Sequence, residues 1–447
     1  MPDASFEYLF SLEQFGIKFG LENIRAILGA LGHPERAFPS VHVAGTNGKG
    51  SVTAMVDAVL RASGYRSARY TSPHLVDLTE RFVVGGQRVT SEQLSAAVGR
   101  VRDTVLDLQA DGRLDVHPTF FEVTTAAAFE LFKRASVEVA VCEVGLGGRL
   151  DATNVLSPLV TTITSIALDH EQYLGSTLAE IAGEKAGILK AGVPAVIGAV
   201  DPQAADVIAR TARECGAPLI WAHEGVAVEE IAVPPGSGQR FRLRTPMKDY
   251  GVLDSALAGA HQIDNAVIAV RVLESLDASG LKVSPDAVAR GLATVDWPGR
   301  LERVNLGDGR SLLLDAAHNP AGARALAAFL ARQSGRWPLV FGAMRDKDTR
   351  GILSALAPQV SAIVLTRAAN PRSADPQALA DVAAAVAPEL PVNVVNLPGA
   401  ALAAAWLLGP QIVVAGSIFL LGDVMKELGP STALGASPST RLRAGRP

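Results

Sequence analysis

The sequence predicts an α/β fold in two parts. A mostly parallel sheet whose first strand feeds a phosphate-binding loop comes first, and a second, smaller α/β alternation follows. Three observations carry this. Short β-rich apolar runs alternate with segments of helical rhythm over most of the 447 residues, as in parallel sheets covered on both faces. The glycine-rich run GTNGKGS (45–51) lies between one such strand and one such helix. Trp297-Pro298-Gly299-Arg300 then interrupts the rhythm before a fresh alternation begins.

Taken in order, residues 6–31 have a helical rhythm that stops near Gly32-His33-Pro34. Residues 40–44 (SVHVA) read as a strand, 45–51 as the loop, and 52–60 as a helix ending near Gly64. Residues 122–134 read as a helix, 137–144 as a buried strand, 159–168 as another, 178–189 as a helix and 193–197 as a strand. The stretch 226–253 loses the rhythm around Pro234-Pro235-Gly236-Ser237-Gly238 and reads as β-rich excursions off the sheet. Helix returns at 261–276. Beyond the boundary come strand 311–314, helix 322–332, strand 338–341, helix 349–357, strand 362–365, strand 411–415 and a last helix near 424–428. The expected domains are therefore 1–296 and 297–428, with a disordered Gly/Pro/Ser-rich tail at 429–447.

Composition narrows the function classes. Apolar residues make up 48% and charged residues 19%, which is ample for large cores and outside the range of disordered chains. A net charge of −4 leaves no electrostatic footprint for nucleic acid or an anionic membrane. Any anion site must come from backbone dipoles and a few placed cations. The two cysteines, Cys142 and Cys215, make no disulfide framework and fit a reducing compartment. The N-terminal segment lacks a signal-peptide pattern, and no apolar run is long enough to span a bilayer. The expectation is a cytoplasmic protein, acting as a monomer on small molecules.

The chemistry concentrates at strand ends. In Gly45–Ser51 the glycines let successive N–H groups converge on one anion, the following helix points its positive end there, and Lys49 adds a full charge. Asn47, Gly48, Lys49, Gly50 and Ser51 are the candidate nucleotide contacts. Gly50 occupies the slot after Lys49 that usually holds a metal-binding hydroxyl; a plain strand-to-helix turn is the competing explanation. Glu143 ends a buried strand at the rim where ligands collect in open α/β sheets, which makes it a candidate metal ligand. Asp169-His170 repeats that arrangement, although imidazole is an unusual partner for Mg²⁺. Ser72 in Thr71-Ser72-Pro73-His74 offers a hydroxyl at another strand end. Lys185, in a helix among small residues, reads locally as a surface lysine. His261–Ala266 opens a helix with Asn265 available to a base or ribose, and Asp315 with His318 follows a strand of the second domain.

Together these segments resemble the folylpolyglutamate synthase/dihydrofolate synthase family, relatives of the Mur peptidoglycan ligases. The matching motifs are GTNGKGS (45–51), TSPHL (71–75), FFE (120–122), EVGLGGRLDATN (143–154), DH followed by LG (169–175) and EKAGI (184–188). They continue with HQIDNA (261–266), WPGRLE (297–302), DAAHNP (315–320) and AGSIFLLGDV (415–424), in family order. The resemblance implies a P-loop ATPase domain and a smaller Rossmann-like glutamate ligase domain, with ATP in the cleft between them. It implies Mg²⁺ held by Ser72, Glu143 and His170, and Lys185 carried as its carbamate. It assigns nucleotide contacts to Asn265, Arg300 and Asp315, and glutamate-side roles to His318 and Ser417. Lys18, Phe19, Gly20, Leu21, Thr119, Phe120, Phe121, Leu150, Asp151 and Ala152 match regions that hold the pterin. Departures are Ala for Gly in DAAHNP, and AGSIF for the commoner TGSLY.

The implied reaction is ATP-dependent formation of an amide between L-glutamate and a pterin carboxylate through an acyl phosphate. The substrates would be dihydropteroate and reduced folates. Lys49 and the loop N–H groups would neutralise charge during phosphoryl transfer, and closure of the second domain by Arg300 and Asp315 would exclude water. Alternatives are a folylpolyglutamate synthase without the dihydropteroate activity, a Mur-type ligase on another carboxylate, and a P-loop nucleotide-binding module with no second substrate.

Overall fold

The computed structural model describes residues 4–16, 19–233 and 238–429. The chain sorts into two compact units. The first comprises Met1–Val228, Leu243–Gly251 and Asp264–Leu292; the second comprises Glu229–Arg242, Val252–Ile263 and the residues from Ala293.

The first unit is built on an eight-stranded sheet. Its strands are β1 (Ser40–Ala44), β2 (Ser67–Tyr70), β3 (Phe82–Val84), β4 (Gln87–Arg88), β5 (Val139–Glu143), β6 (Val160–Ile163), β7 (Ala195–Ile197) and β8 (Leu219–Trp221). They lie in the order β4-β3-β2-β5-β1-β6-β7-β8. All pairings are parallel except those of the β2–β3–β4 meander at one edge. Strand β1 sits between β5 and β6, every residue of it buried, which explains its apolar character apart from Ser40 and His42.

Helices cover both faces: α1 (Ala4–Ser11), α2 (Glu22–Ala30), α3 (Lys49–Ala62), α4 (Ser91–Ala110), α5 (Phe120–Arg134), α6 (Glu171–Leu174), α7 (Leu178–Ala186) and α8 (Pro202–Cys215). Alternate residues of β2 and β5 (Ala68, Tyr70, Ala140 and Cys142) join one core with residues of α1, α2, α4 and α5, the period of two that a pleated strand imposes. Ile163, Ala195 and Ile197 pack with Ile181, Ala182, Ile208 and Ala212 in another. Helix α3 is buried from Gly50 through Leu60. Capping boxes start α4 (Thr90 with Gln93), α5 (Thr119 with Glu122) and α7 (Thr177 with Glu180).

Strands β9 (Ala227–Ile231), β10 (Gln239–Arg244) and β11 (Asp249–Ser255) form a separate three-stranded sheet, the β excursion expected at 226–253. Helices α9 (Ala260–Ala278) and α10 (Pro285–Thr294) follow. The second unit carries a six-stranded sheet of β12 (Glu302–Asn305), β13 (Ser311–Leu314), β14 (Trp337–Phe341), β15 (Val360–Leu365), β16 (Val392–Val394) and β17 (Gln411–Ala415), ordered β12-β13-β17-β14-β15-β16. Only the β12–β13 pairing is antiparallel. Its helices are α11 (Pro320–Leu330), α12 (Thr349–Leu356), α13 (Pro376–Val386), α14 (Pro398–Trp406) and α15 (Ile418–Leu428).

Four expectations need correction. The helical rhythm of 6–31 is broken: α1 and a 3₁₀ turn stop at Gly16, and α2 starts only at Glu22, with Gly16 and Gly20 both at positive φ. The strand expected at 159–168 ends at Ile163, because the chain turns there to bond the phosphate loop. The helix after that loop begins at Lys49 rather than Val52, and the last helix begins at Ile418 rather than Val424. The tail expectation at 430–447 and the proline-rich stretch 234–237 lie outside the described residues.

Candidate functional site

Strand β1 delivers the chain to Gly45, and α3 starts at Lys49 with Gly48 as its N-cap at φ 85°. Lys49, Gly50 and Ser51 thus form the first helical turn, whose N–H groups have no partner within the helix and can converge on phosphate oxygens. The loop is fastened to the segment after β6. Thr46 N donates to Ser165 O (2.8 Å), Asn47 N to Ser165 Oγ (3.0 Å) and Ala167 N to Thr46 Oγ1 (3.1 Å). Thr164 Oγ1 donates to Asn47 O at 2.6 Å. Lys49 Nζ curls over its own loop, donating to Gly45 O (3.1 Å) and Thr46 O (3.2 Å). A Cβ placed on Gly48 would collide with Asn265 Oδ1, so the α9 residue expected to meet the nucleotide does stand against the loop.

Glu143 is buried at the end of β5, and Ser72 N donates to its Oε2 at 3.3 Å. Neighbouring strands β2 and β5 therefore bring two of the three expected metal ligands together. Asp169-His170 does not sit at a strand end; five residues separate β6 from Asp169 in a loop. His170 takes φ 52° as the N-cap of α6, and its backbone N donates to Asp169 Oδ1 at 2.9 Å. Among the described residues no three His, Cys, Asp or Glu side chains gather as a metal cage. A buried carboxylate beside a hydroxyl is the sparse oxygen set that suits Mg²⁺, which keeps waters and phosphate oxygens as its other ligands. These residues fit that ion.

Lys185 overturns its local reading as a surface lysine: it lies in α7 at 4% exposure. Burial, reinforced by the positive charge of Lys49, lowers its pKa to about 7, with Asp169 and Asp151 pulling the other way. The shift thus ties Lys185 electrostatically to the phosphate loop, to the Asp169-His170 turn and to the GLGGRLD segment.

The residues matched to the pterin divide by what they do. Asp151 caps the short turn Ala152–Val155, accepting from Thr153 N (3.0 Å), Leu146 N (2.9 Å) and Thr153 Oγ1. Burial pushes its carboxyl above the ordinary range, while Leu150 is half-buried and Ala152 buried beside it. Thr119 spends its hydroxyl on the α5 capping box. Phe120 stacks on Phe10 (6.2 Å between centroids) under the Arg81 guanidinium (5.3 Å), and Phe121 stacks on Tyr70 (6.0 Å). Phe19 is exposed and meets the Tyr173 ring at 6.1 Å; Gly20 is half-buried, and Leu21 is buried as the N-cap of α2. Lys18 lies outside the described residues. Tyr70, Arg81 and Tyr173 pack against these residues and were not singled out by the sequence. Only burial reveals Arg81, whose Nε donates to His74 Nδ1 at 3.0 Å and whose charge lies near Glu143.

In the second unit Asp315 follows β13 and accepts from Leu301 N (2.9 Å) and Ala317 N (3.0 Å). Burial raises its pKa against the opposing charges of Arg300 and His261. His318 Nδ1 lies 2.8 Å from Ala316 O; a carbonyl only accepts, so Nδ1 carries a proton. Ser417 is the buried N-cap of α15, its Oγ accepting from Phe419 N (3.2 Å). Gly416 N donates to Ala317 O (2.9 Å), which joins the His318 and Ser417 segments at the ends of paired strands β13 and β17.

Comparison with known proteins adds the following. Residues 43–273 match the Mur ligase middle domain and 299–418 the Mur ligase glutamate ligase domain. A Bacillus subtilis (strain 168) dihydrofolate synthase/folylpolyglutamate synthase is 38% identical over 350 residues, covering 77% of this chain and 80% of that protein. The Mycobacterium tuberculosis folylpolyglutamate synthase complexed with ADP and AMPPCP superposes with TM-score 0.87 at 37% identity, over 95% of this chain and 98% of that one. Escherichia coli FolC in complex with DHPP and ADP gives 0.82 at 32% identity, over 96% and 98%. A Yersinia pestis bifunctional folylpolyglutamate synthase/dihydrofolate synthase with AMPPNP and Mn ion gives 0.80 at 32%, over 95% and 97%.

Proposed function

The chain belongs to the folylpolyglutamate synthase/dihydrofolate synthase family of Mur ligases, and we propose that it joins L-glutamate both to dihydropteroate and to reduced folates. It is an ATP-dependent amide-forming ligase. A carboxylate resists amines because its oxygen leaves poorly; taking the γ-phosphoryl group makes an acyl phosphate, and phosphate then leaves the tetrahedral adduct formed by the glutamate amine. In this reading the first-turn N–H groups of α3 and Lys49 hold the phosphates, and Asn265 meets the nucleotide from α9. Arg300 and Asp315 supply further nucleotide contacts, while His318 and Ser417 serve the incoming glutamate. Phe19 to Leu21, Thr119 to Phe121 and Leu150 to Ala152 hold the pterin, with Lys18 expected among them. Ser72, Glu143 and His170 would hold Mg²⁺, which when bound neutralises phosphate charge.

The observation that carries the reading is the buried Lys185, poised near pH 7 between the charges of Lys49, Asp169 and Asp151. A plain nucleotide switch has no use for a desolvated lysine there. A half-neutral amine beside cationic Lys49 is suited to add CO₂, losing one proton and becoming an anionic carbamate. We propose that modification for Lys185. A cytoplasmic, monomeric state belongs to the same proposal: no helix of the described residues is long and apolar enough to cross a membrane, and sedimentation would check the monomer. The deciding assay is ADP release in the presence of glutamate with dihydropteroate, with tetrahydrofolate or with neither. Release with both pterins supports the bifunctional reading. Release with tetrahydrofolate alone reduces it to the polyglutamate activity, and release with neither refutes it.

A further inference from the structure

One buried polar side chain has no part in the chemistry above. His42 is fully buried in the centre of β1, three residues before the phosphate loop. Its Nε2 lies 2.8 Å from Thr153 Oγ1, and its Nδ1 has no hydrogen-bond partner. Thr153 has a single hydroxyl proton, and that proton goes to Asp151 Oδ1. The Thr153 oxygen can then only accept from His42, so His42 must be the Nε2–H tautomer, with the Nδ1 lone pair buried and without a partner. Burial, followed by the charge of Lys190, lowers its pKa to about 3, which keeps it a neutral donor throughout the working range.

We propose that His42 is a positioning residue for the pterin substrate. Through Thr153 it fixes the Asp151 carboxylate, and through that carboxylate it sets the 145–152 loop in register with the phosphate-loop strand. The path is continuous in space. Nε2–H of His42 holds Thr153; Thr153 Oγ1 and N hold Asp151 Oδ1; Asp151 Oδ2 accepts from Leu146 N at 2.9 Å. Leu146 is three residues beyond Glu143, and Leu150 and Ala152 flank the carboxylate. One end of this relay is the strand that aims the loop Gly45–Ser51. The other end is the loop assigned here to the pterin, so the inference rests on that assignment. The backbone already ties the entry to this turn to β1, Val144 N donating to Val43 O at 2.9 Å; the His42 bond adds the side-chain tie that reaches the carboxylate through Thr153.

The test compares two pairs of variants. His42→Gln keeps an N–H near the Nε2 position, while His42→Leu removes it; Thr153→Ser keeps the hydroxyl, while Thr153→Val removes it. The expected result is a rise of about tenfold or more in KM for the pterin substrate in His42→Leu and Thr153→Val. KM for ATP should change little, and Gln and Ser should restore most of the loss. Equal behaviour within each pair, whether both intact or both impaired for ATP as well as pterin, overturns the proposal. Should the Leu or Val variant fail to fold, ¹⁵N spectra of wild-type protein labelled at histidine still decide it. The relay requires a neutral Nε2–H signal for His42 between about pH 5 and 8, and an Nδ1–H or doubly protonated ring overturns it. A wild-type enzyme without pterin-dependent ADP release would instead refute the ligase reading and leave this tautomer test standing.

Discussion

Replacing Gly48 with alanine isolates the geometry of the phosphate loop. Gly48 holds φ 85° as the N-cap of α3, a left-handed conformation that costs a residue with a Cβ about 1–2 kcal/mol. The new Cβ would also collide with Asn265 Oδ1 and come within 3.3 Å of Asn265 Cγ. The Asn265 side chain must leave its rotamer, adding about 0.5–1.5 kcal/mol. The sum is a stability loss of about 1.5–3.5 kcal/mol, accompanied by a raised KM for ATP because both the loop and Asn265 are disturbed. Gly216→Ala is the control. That residue has φ 74° with nothing within 4 Å of its Cβ, so it should suffer the backbone strain alone. A double variant, Gly48→Ala with Asn265→Ala, removes the collision and should be less destabilised than the two single losses added. Urea unfolding gives the stabilities, and coupled ADP release gives KM. If Gly48→Ala loses no more stability than Gly216→Ala and keeps the wild-type KM for ATP, the close approach of Asn265 is not a working feature of the site.

Three further outcomes follow from the described contacts. Lys49→Ala should abolish glutamate-dependent ADP release with circular dichroism unchanged, since Nζ contacts only loop carbonyls; near-normal turnover would remove the loop from the mechanism. For Lys185, lowered from 10.5 to about 7, the unfolded chain binds more protons between those values. Folding stability should therefore rise with pH across that window. The neutral amine that CO₂ requires falls about tenfold per pH unit below 7, so added bicarbonate should stimulate activity most on the acid side. Equal activity in CO₂-depleted buffer, with unmodified Lys185 in intact-protein mass spectra, would exclude the carbamate. Asp315→Ala leaves the amides of Leu301 and Ala317 without their acceptor and should cost about 1–3 kcal/mol. The folded pKa of Asp315 is raised above 3.8, so the native state holds the proton longer and wild-type stability should fall as pH rises through that interval. Asp315→Asn should lack that slope.

Much of the fold was legible because central parallel strands announce themselves. Ser40–Ala44, Ser311–Leu314 and Gln411–Ala415 are apolar runs closed by glycine or by polar turns, and they form strands with the expected ends. Elements whose apolar residues are diluted were not legible. Helix α4 buries only six of its twenty residues, and β3 and β4 are short strands of an edge meander. In the site, the loop and Glu143 could be read from strand–loop context, since a strand end fixes where a side chain emerges. Lys185 could not, because an alanine-rich helix with one lysine looks the same whether that face is wet or dry. Thr119 and Asp151 carry local capping bonds that motif matching does not separate from ligand contacts. Arg81 is set by long-range burial, which no local spacing encodes.

The hydrogen bonds that fasten Thr46 and Asn47 to Thr164, Ser165 and Ala167 also fix the thermodynamics of nucleotide capture. A glycine-rich loop left loose would surrender about 1–2 kcal/mol of backbone entropy per residue on ordering around a phosphate. Here that ordering is completed during folding, so association needs little further loss of disorder. The amide protons of Thr46 and Asn47 should therefore exchange with solvent deuterium about as slowly as those of β1, before any nucleotide is present. The same stitching implies that loosening the segment after β6 would weaken nucleotide binding through entropy, without altering a single atom that touches the phosphates.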